Sequence, residues 1–249
     1  MAKLIRKSSQ FCAFECYSER GILSYFLFRY LPFGENLNIF INSLSFPKNY
    51  DNPFTNQKIS NPVFFSELNL GKKGFGDPDG AIFFECSNQY MMMLIEGKFN
   101  ETYSKSCKNK GYNSTIQGQL ELRWRAVSLY KNGSIKEVNG FPYLIEAEEY
   151  RGFYKDKDKF YNPERVSAND FHGFRRLKLV EGVKRLFDDY IAKCDLNNIY
   201  FLCITADKEP PFDSVSEHLL PRIFNHRWDS VAGHFCWKGT PEIEKCGCV

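Results

Sequence analysis

Long apolar runs are missing from this chain of 249 residues: the longest, ILSYFLFRYLPF and YMMMLI, fall well short of the roughly 20 residues that a bilayer-spanning helix needs. No membrane span is expected. A charge excess is missing as well, since 33 Lys and Arg stand against 30 Asp and Glu and leave a net charge of +3. That is too little to announce a nucleic-acid partner by bulk electrostatics, although a local patch remains open. The nine cysteines are odd in number and scattered, with no C-x-x-C pair. The start, MAKLIRKSSQFCAFEC, has a basic opening without the apolar core and small-residue cleavage site of a signal peptide. Reduced thiols in a cytoplasmic protein are the reading. There is no G-x-S-x-G, no P-loop and no H-E-x-x-H, which removes the usual signatures of serine hydrolases, nucleotide-binding loops and zinc proteases. No internal repeat, low-complexity segment or linker divides the chain. A hydrophobic share of 43%, with 16% aromatic residues, is ample for the core of a single domain over residues 1–249.

SERGILSYFLFRYLP opens on the N-cap candidate Ser18, stops at Pro32 and is apolar almost all round, as a buried helix would be. NLNIFINSLSF and PVFFSELNL are short and rich in Phe, Ile and Asn, which predicts strands on either side of the polar loop PKNYDNPFTNQKISN. DGAIFFEC and YMMMLIEGKF, joined by Ser87, Asn88 and Gln89, read as a β-hairpin, and because both are apolar on both faces they belong in the middle of a covered sheet. From 115 to 130 the spacing turns helical, with Ile116, Leu120, Trp124 and Val127 on one stripe and the turn KNGS at the end. FPYLIEA predicts another strand. FHGFRRLKLVEGVKRLFDDYIAK predicts a second long helix, capped by Asn169 or Asp170, and NIYFLCITAD predicts a buried strand stopped by KEPP. The core is thus expected over about residues 18–206, with a C-terminal extension from 207 to 249.

Charges in the hairpin are the chemically informative feature. Asp77 and Asp79 stand at its entrance, and Glu96 and Lys98 near its exit. Side chains alternate along a strand, so Glu96 and Lys98 share a face while Gly97 faces the other way. A hairpin brings the entrance of one strand beside the exit of the next, which sets Asp79 level with Glu96 and Lys98. Two carboxylates close together on an apolar surface repel each other and are costly to desolvate unless a divalent cation lies between them. Mg²⁺ suits such oxygens, with the Gly97 carbonyl as a further ligand. Asp77 competes with Asp79 for that role, or caps the turn; Glu67 and Glu85 read more simply as exposed strand residues.

Pro78-Asp79, sixteen residues, then Glu96-Gly97-Lys98 resembles the signature of the PD-(D/E)XK nuclease superfamily. The resemblance covers roughly residues 18–130. FFSELNLGKKGFGDPDGAIFF is similar to the first two strands of that family's meander, and IQGQLELRW to the helix that carries a glutamine toward the site, which points to Gln119. By helical spacing Gln119, Arg123 and Tyr130 fall within an arc of roughly 40°, with Gln117 on the other flank. Glu19 matches the acidic residue of the first core helix, or is an ordinary first-turn acid. The resemblance implies an α/β (α+β), restriction-endonuclease-like fold, a central mixed β-sheet flanked by helices on both faces. It also implies Mg²⁺-dependent phosphodiester hydrolysis, with Mn²⁺ substituting. Asp79, Glu96 and Gly97 would hold the metal, Lys98 and Gln119 would orient water or stabilise charge, and Glu19 would complete an outer contact. Removing either carboxylate is expected to abolish cleavage while leaving the fold intact or more stable.

Arg175, Lys178 and Arg185 fall within about 80° of one face of the second long helix. The loop before it interleaves Lys155, Lys157 and Lys159 with Phe153, Tyr154, Phe160 and Tyr161. Such a surface can meet phosphates and stack on bases, DNA ahead of RNA, unless it is merely a solvated basic face. His226, His234, Cys236, Cys246 and Cys248 are candidate zinc ligands with spacings that match no standard finger, so free or buried thiols are the simpler reading. Three functions stand: a metal-dependent nuclease, conceivably a homodimer; a nucleic-acid-binding or assembly protein on the same fold without turnover; and an α/β interaction protein with a zinc-fastened tail.

Overall fold

In a computed structural model of the chain, the described residues are 3–5, 23–24, 26–32, 35–47, 49–66, 68, 70, 75–98, 116–145, 176–205, 217–227 and 236–238. The strands are β1 (Lys3–Ile5), β2 (Ile59–Ser66), β3 (Gly80–Cys86), β4 (Gln89–Lys98), β5 (Ile135–Val138), β6 (Phe141–Ile145), β7 (Arg176–Lys178), β8 (Ile199–Thr205), β9 (Ile223–Arg227) and β10 (Cys236–Lys238). Five form a central mixed sheet in the order β2-β3-β4-β8-β9, antiparallel from β2 to β4 and parallel from β4 to β9. Two smaller sheets, β5-β6-β7 and β1-β10, complete the strands.

Both faces of the central sheet are covered, as the all-apolar strands require. On one face Ile82, Phe84, Met93, Ile95 and Leu202 pack against the π-helical turn α1 (Phe26–Tyr30) and helix α2 (Asn36–Asn42). On the other, Ala81, Phe83, Met92, Leu94 and Phe201 pack against helix α3 (Ile116–Lys131) and against α4 (Glu181–Arg185), which runs on through Leu186–Tyr190 and Ile191–Lys193. Leu144 and Leu177 of the β5-β6-β7 sheet join this second core. No helix among the described residues is long and apolar enough to cross a membrane.

Turn chemistry fixes the hairpins. Ser87 and Asn88 both take positive φ, 51° and 61°, so the β3–β4 loop is a two-residue type I′ turn and Gln89 already belongs to β4. Asn139 and Gly140 do the same between β5 and β6, an Asn-Gly signal that makes β5 a strand the apolar pattern alone did not announce. Gly133, at φ 70°, ends α3: Ser134 N–H donates to Leu129 C=O and Gly133 N–H to Tyr130 C=O, a Schellman arrangement.

Four sequence expectations need correction. NLNIFIN is a helix, because Leu37, Phe40 and Ile41 bury at i, i+3 and i+4 while Ile39 faces outward. The loop after it is not merely a surface connection: Phe54 is buried against Phe84, Tyr200 and Phe224, and the Asn52 amide donates to Ile41 C=O at 2.9 Å, satisfying a helix-end carbonyl. The expected second long helix begins as strand β7, where buried Leu177, and Leu179 just after the strand, alternate with Lys178 at period two; helix resumes at Glu181 after the extended Val180. Finally, β9 is the outer strand of the central sheet, so the sheet reaches past residue 206.

Candidate active site at the carboxyl end of the central sheet

Because β4, β8 and β9 are parallel, their carboxyl ends lie on one side, where side chains beyond the ladder are free to meet a ligand. Strand β3 begins there. The ladder ends at the pair Gly80 and Ile95, and Asp79 N–H, one residue before the strand, donates to Ile95 C=O at 3.0 Å. Asp79 thus lies against the Ile95–Gly97 stretch of β4 that carries Glu96, and Glu96 alternates onto the α3 face of the sheet, the face of Leu94. Beyond Glu96 in the same row stands the buried Cys203, and one row further out Lys98 pairs with Thr205.

Local backbone detail holds this corner together. The Asp79 Oδ2 accepts a hydrogen bond from Gly97 N–H at 2.8 Å, so the aspartate clamps β4 where the glutamate leaves it. Gly80 is required by close packing, since a Cβ there would meet Leu27 Cδ1 at 2.7 Å and Phe65 C=O at 3.1 Å. Gly76, at φ 78°, turns the chain into the Asp77-Pro78-Asp79 entrance.

Helix α3 supplies the other wall. Arg123 is 0% exposed and Glu96 1%, and Arg123 Nη2 donates to Glu96 Oε2 at 2.5 Å and to Asp77 C=O at 3.1 Å. Four buried polar atoms near this pair have no hydrogen-bond partner: Asp77 Oδ1, Gln119 Oε1, and Arg123 Nε and Nη1. Buried polar atoms are ordinarily satisfied, so unpaired acceptors and donors together mark a place where an ion, water or a rearranged side chain completes the set.

Of the sequence candidates, Asp79, Glu96, Gly97, Lys98 and Gln119 are brought to this end of the sheet by strand register and by the first turns of α3. Glu19 and Arg175 lie outside the described residues. Lys178 is on β7, with its Nζ 3.1 Å above the Phe141 ring, and Arg185 is on α4, with Nε 3.5 Å from Asp189 Oδ2. The common helical face expected of Arg175, Lys178 and Arg185 is thus not formed, because β7 intervenes. Tyr130 faces elsewhere and donates to Asp188 Oδ1 at 2.5 Å. Glu85 sits beside the hairpin turn, opposite Tyr90, and accepts from Asn61. Of the zinc candidates, His226 and Cys236 are on β9 and β10, while His234, Cys246 and Cys248 lie outside the described residues, as do Lys155, Lys157 and Lys159. Among the described residues no three His, Cys, Asp or Glu side chains converge as a metal cage.

Arg123 is the residue whose role the sequence reading left unassigned. Its spacing of four from Gln119 signalled its direction, and a buried arginine facing a strand-borne glutamate is expected to pair with it. This pair also reverses one expectation. Loss of Glu96 leaves a buried guanidinium unbalanced, so its removal destabilises the fold instead of relieving repulsion.

For Mg²⁺ the donor set fits: two carboxylates, a backbone carbonyl and an amide oxygen are hard ligands, and Mg²⁺ retains several waters and needs one or two protein carboxylates, not a full cage. The unpartnered Asp77 Oδ1 and Gln119 Oε1 are oxygens that a cation, its waters or a rearranged Arg123 would satisfy. The Arg123–Glu96 contact competes with it for the glutamate. No family model, curated protein or solved structure matches the chain.

Proposed function

We propose that this protein is a Mg²⁺-dependent nuclease with a restriction-endonuclease-like fold, acting on DNA ahead of RNA. The observation that carries the reading is that Asp79 is hydrogen-bonded to Ile95 C=O and Gly97 N–H, on either side of Glu96, while Asp77 Oδ1 and Gln119 Oε1 are buried without a partner on the adjoining segments. The order of elements lends further support: an antiparallel meander β2-β3-β4, helix α3 with its glutamine, then β8 parallel to β4.

In this reading Asp79 and Glu96 hold the ion, with the Gly97 carbonyl as a further ligand. When bound, Mg²⁺ would acidify a water and neutralise negative charge gathering on the phosphoryl oxygens. Lys98, two residues beyond Glu96, positions that water or meets the extra negative charge, and the Gln119 amide orients the water or a phosphate oxygen. Glu19 supplies an outer contact. The test is incubation of supercoiled plasmid, single-stranded DNA and RNA with the purified protein and Mg²⁺ or Mn²⁺. Cleavage that EDTA stops and that Asp79→Asn and Lys98→Ala abolish is expected. Intact substrates under every condition refute the nuclease.

A second reading, a nucleic-acid-binding protein on the same fold without turnover, is favoured by the Arg123–Glu96 pair, which already balances the glutamate with an internal cation. It predicts binding without cleavage, unchanged in a Lys98→Ala variant.

A further inference from the structure

We propose that Arg123 is an internal counter-ion that a divalent cation must displace from Glu96, so that this guanidinium sets how tightly the site takes metal. The inference rests on the metal-site reading above. A fully buried arginine that leaves Nε and Nη1 without partners is costly on a helix whose neighbouring positions, Leu122 and Ala126, are buried and apolar. What offsets that cost is the contact with Glu96 and with the Asp77 carbonyl. A divalent ion seated on Glu96 would meet the guanidinium as a like charge at contact distance, in a place where water screens little. The two compete for the carboxylate.

The orphaned atoms show where the guanidinium goes. Gln119 Oε1, one helical turn before Arg123, is a buried acceptor without a donor, and so is Asp77 Oδ1, whose own backbone carbonyl Arg123 already holds. Two unpaired donors on Arg123 face a choice of two unpaired acceptors among its neighbours. Displaced from Glu96, the guanidinium exchanges one carboxylate for another, Asp77, and gains the Gln119 amide. Asp77 is then the residue that receives the arginine, not a metal ligand, and the site has two arrangements with Arg123 on Glu96 or on Asp77.

Mn²⁺ binding followed by the electron paramagnetic resonance of the free ion reads this without any cleavage assay. Arg123→Gln, which keeps an amide donor for Glu96 but removes the charge, is expected to bind Mn²⁺ about tenfold tighter than wild type or more. Asp77→Asn is expected to bind it more weakly, because the displaced guanidinium loses its carboxylate. In wild-type protein labelled with ¹⁵N-arginine, the Arg123 Nε–H resonance is expected to move on titration with Mg²⁺, a measurement that does not depend on any variant folding. Wild-type Mn²⁺ binding that Arg123→Gln leaves unchanged or weakens overturns the displacement, as does an Arg123 resonance that saturating Mg²⁺ leaves in place. Failure of every protein to bind Mn²⁺ removes the metal site itself and this inference with it.

Discussion

The Glu96–Arg123 pair makes the sharpest prediction about stability. Both side chains are essentially inaccessible, and their contact is a single short charge-assisted hydrogen bond, so neither finds water when the other is removed. Truncating one member of such a pair costs about 3–5 kcal/mol, whereas replacing both by apolar groups of similar volume is neutral or stabilising. Glu96→Leu and Arg123→Met are therefore each expected to lose about 3–5 kcal/mol, and the double variant about 1 kcal/mol or less. Arg123→Met removes the cation that faces a buried carboxylate; Glu96→Leu strands a guanidinium that retains only the Asp77 carbonyl. The assay is urea unfolding of the four proteins followed by tryptophan fluorescence, without divalent ions, with free energies extrapolated linearly to water. The double-mutant cycle should close with a coupling of several kcal/mol. Single losses under about 1 kcal/mol that add to within roughly 0.5 kcal/mol would show that the two charges are not paired in the interior.

Gly80→Ala is expected to cost about 1–3 kcal/mol, the range for overpacking, because the added methyl meets the buried Leu27 and a backbone carbonyl; Leu27→Val in the same protein should recover part of the loss in thermal melts. Lys184 and then Tyr130, both hydrogen-bonded to Asp188, hold its carboxyl below the usual range. A depressed acid contributes stability above its unfolded pKa and loses it as pH falls through the folded one. Asp188→Asn should therefore be less stable than wild type at neutral pH, with the gap closing below about pH 4 in denaturant midpoints. Burial pushes the Cys194 thiol up to about 12 and raises that of Cys86; mass spectrometry after alkylation at mild alkaline pH should find both unmodified in native protein and labelled only after denaturation, and labelling of native Cys194 would contradict its burial.

Strong, sustained patterns were legible in the sequence, and mixed local signals were not. β3, β4 and β8 are continuous apolar runs with few alternatives, and α3 shows an extended helical stripe closed by Asn132-Gly133. NLNIFIN failed as a strand because seven residues rich in Ile, Phe and Asn satisfy either period, and what decides for helix is long-range: the Asn52 amide on its last carbonyls and a core under Leu37, Phe40 and Ile41. The segment around Lys178 failed for a related reason. RLKL fits helix and strand alike, and β6 captures it as an edge partner. At the site, the hairpin explains why Asp79 reaches the Ile95–Gly97 stretch around Glu96, whereas the Arg123 contact crosses between sheet and helix at a separation that periodicity fixes in direction but not in partner.

Why charges collect at this end of the sheet follows from the strands themselves. A strand buried on both faces leaves no position along its length where an acid can reach water, so a carboxylate is tolerated only near an end or against a dedicated partner. Asp79 takes the first course, at the mouth of β3 with the Gly97 N–H on its oxygen; Glu96 takes the second, within β4, against Arg123. The two solutions differ in what they permit. Asn in place of Asp79 still accepts from Gly97 and should lose about 1 kcal/mol or less, while Glu96 is tied to a charge on another element. A ligand bound at this corner would act first on the glutamate and its arginine, and through them on the junction between α3 and β4. A divalent ion that bound without loosening that junction would have to leave the Arg123–Glu96 contact intact, and would then be held by Asp79 and backbone oxygens alone.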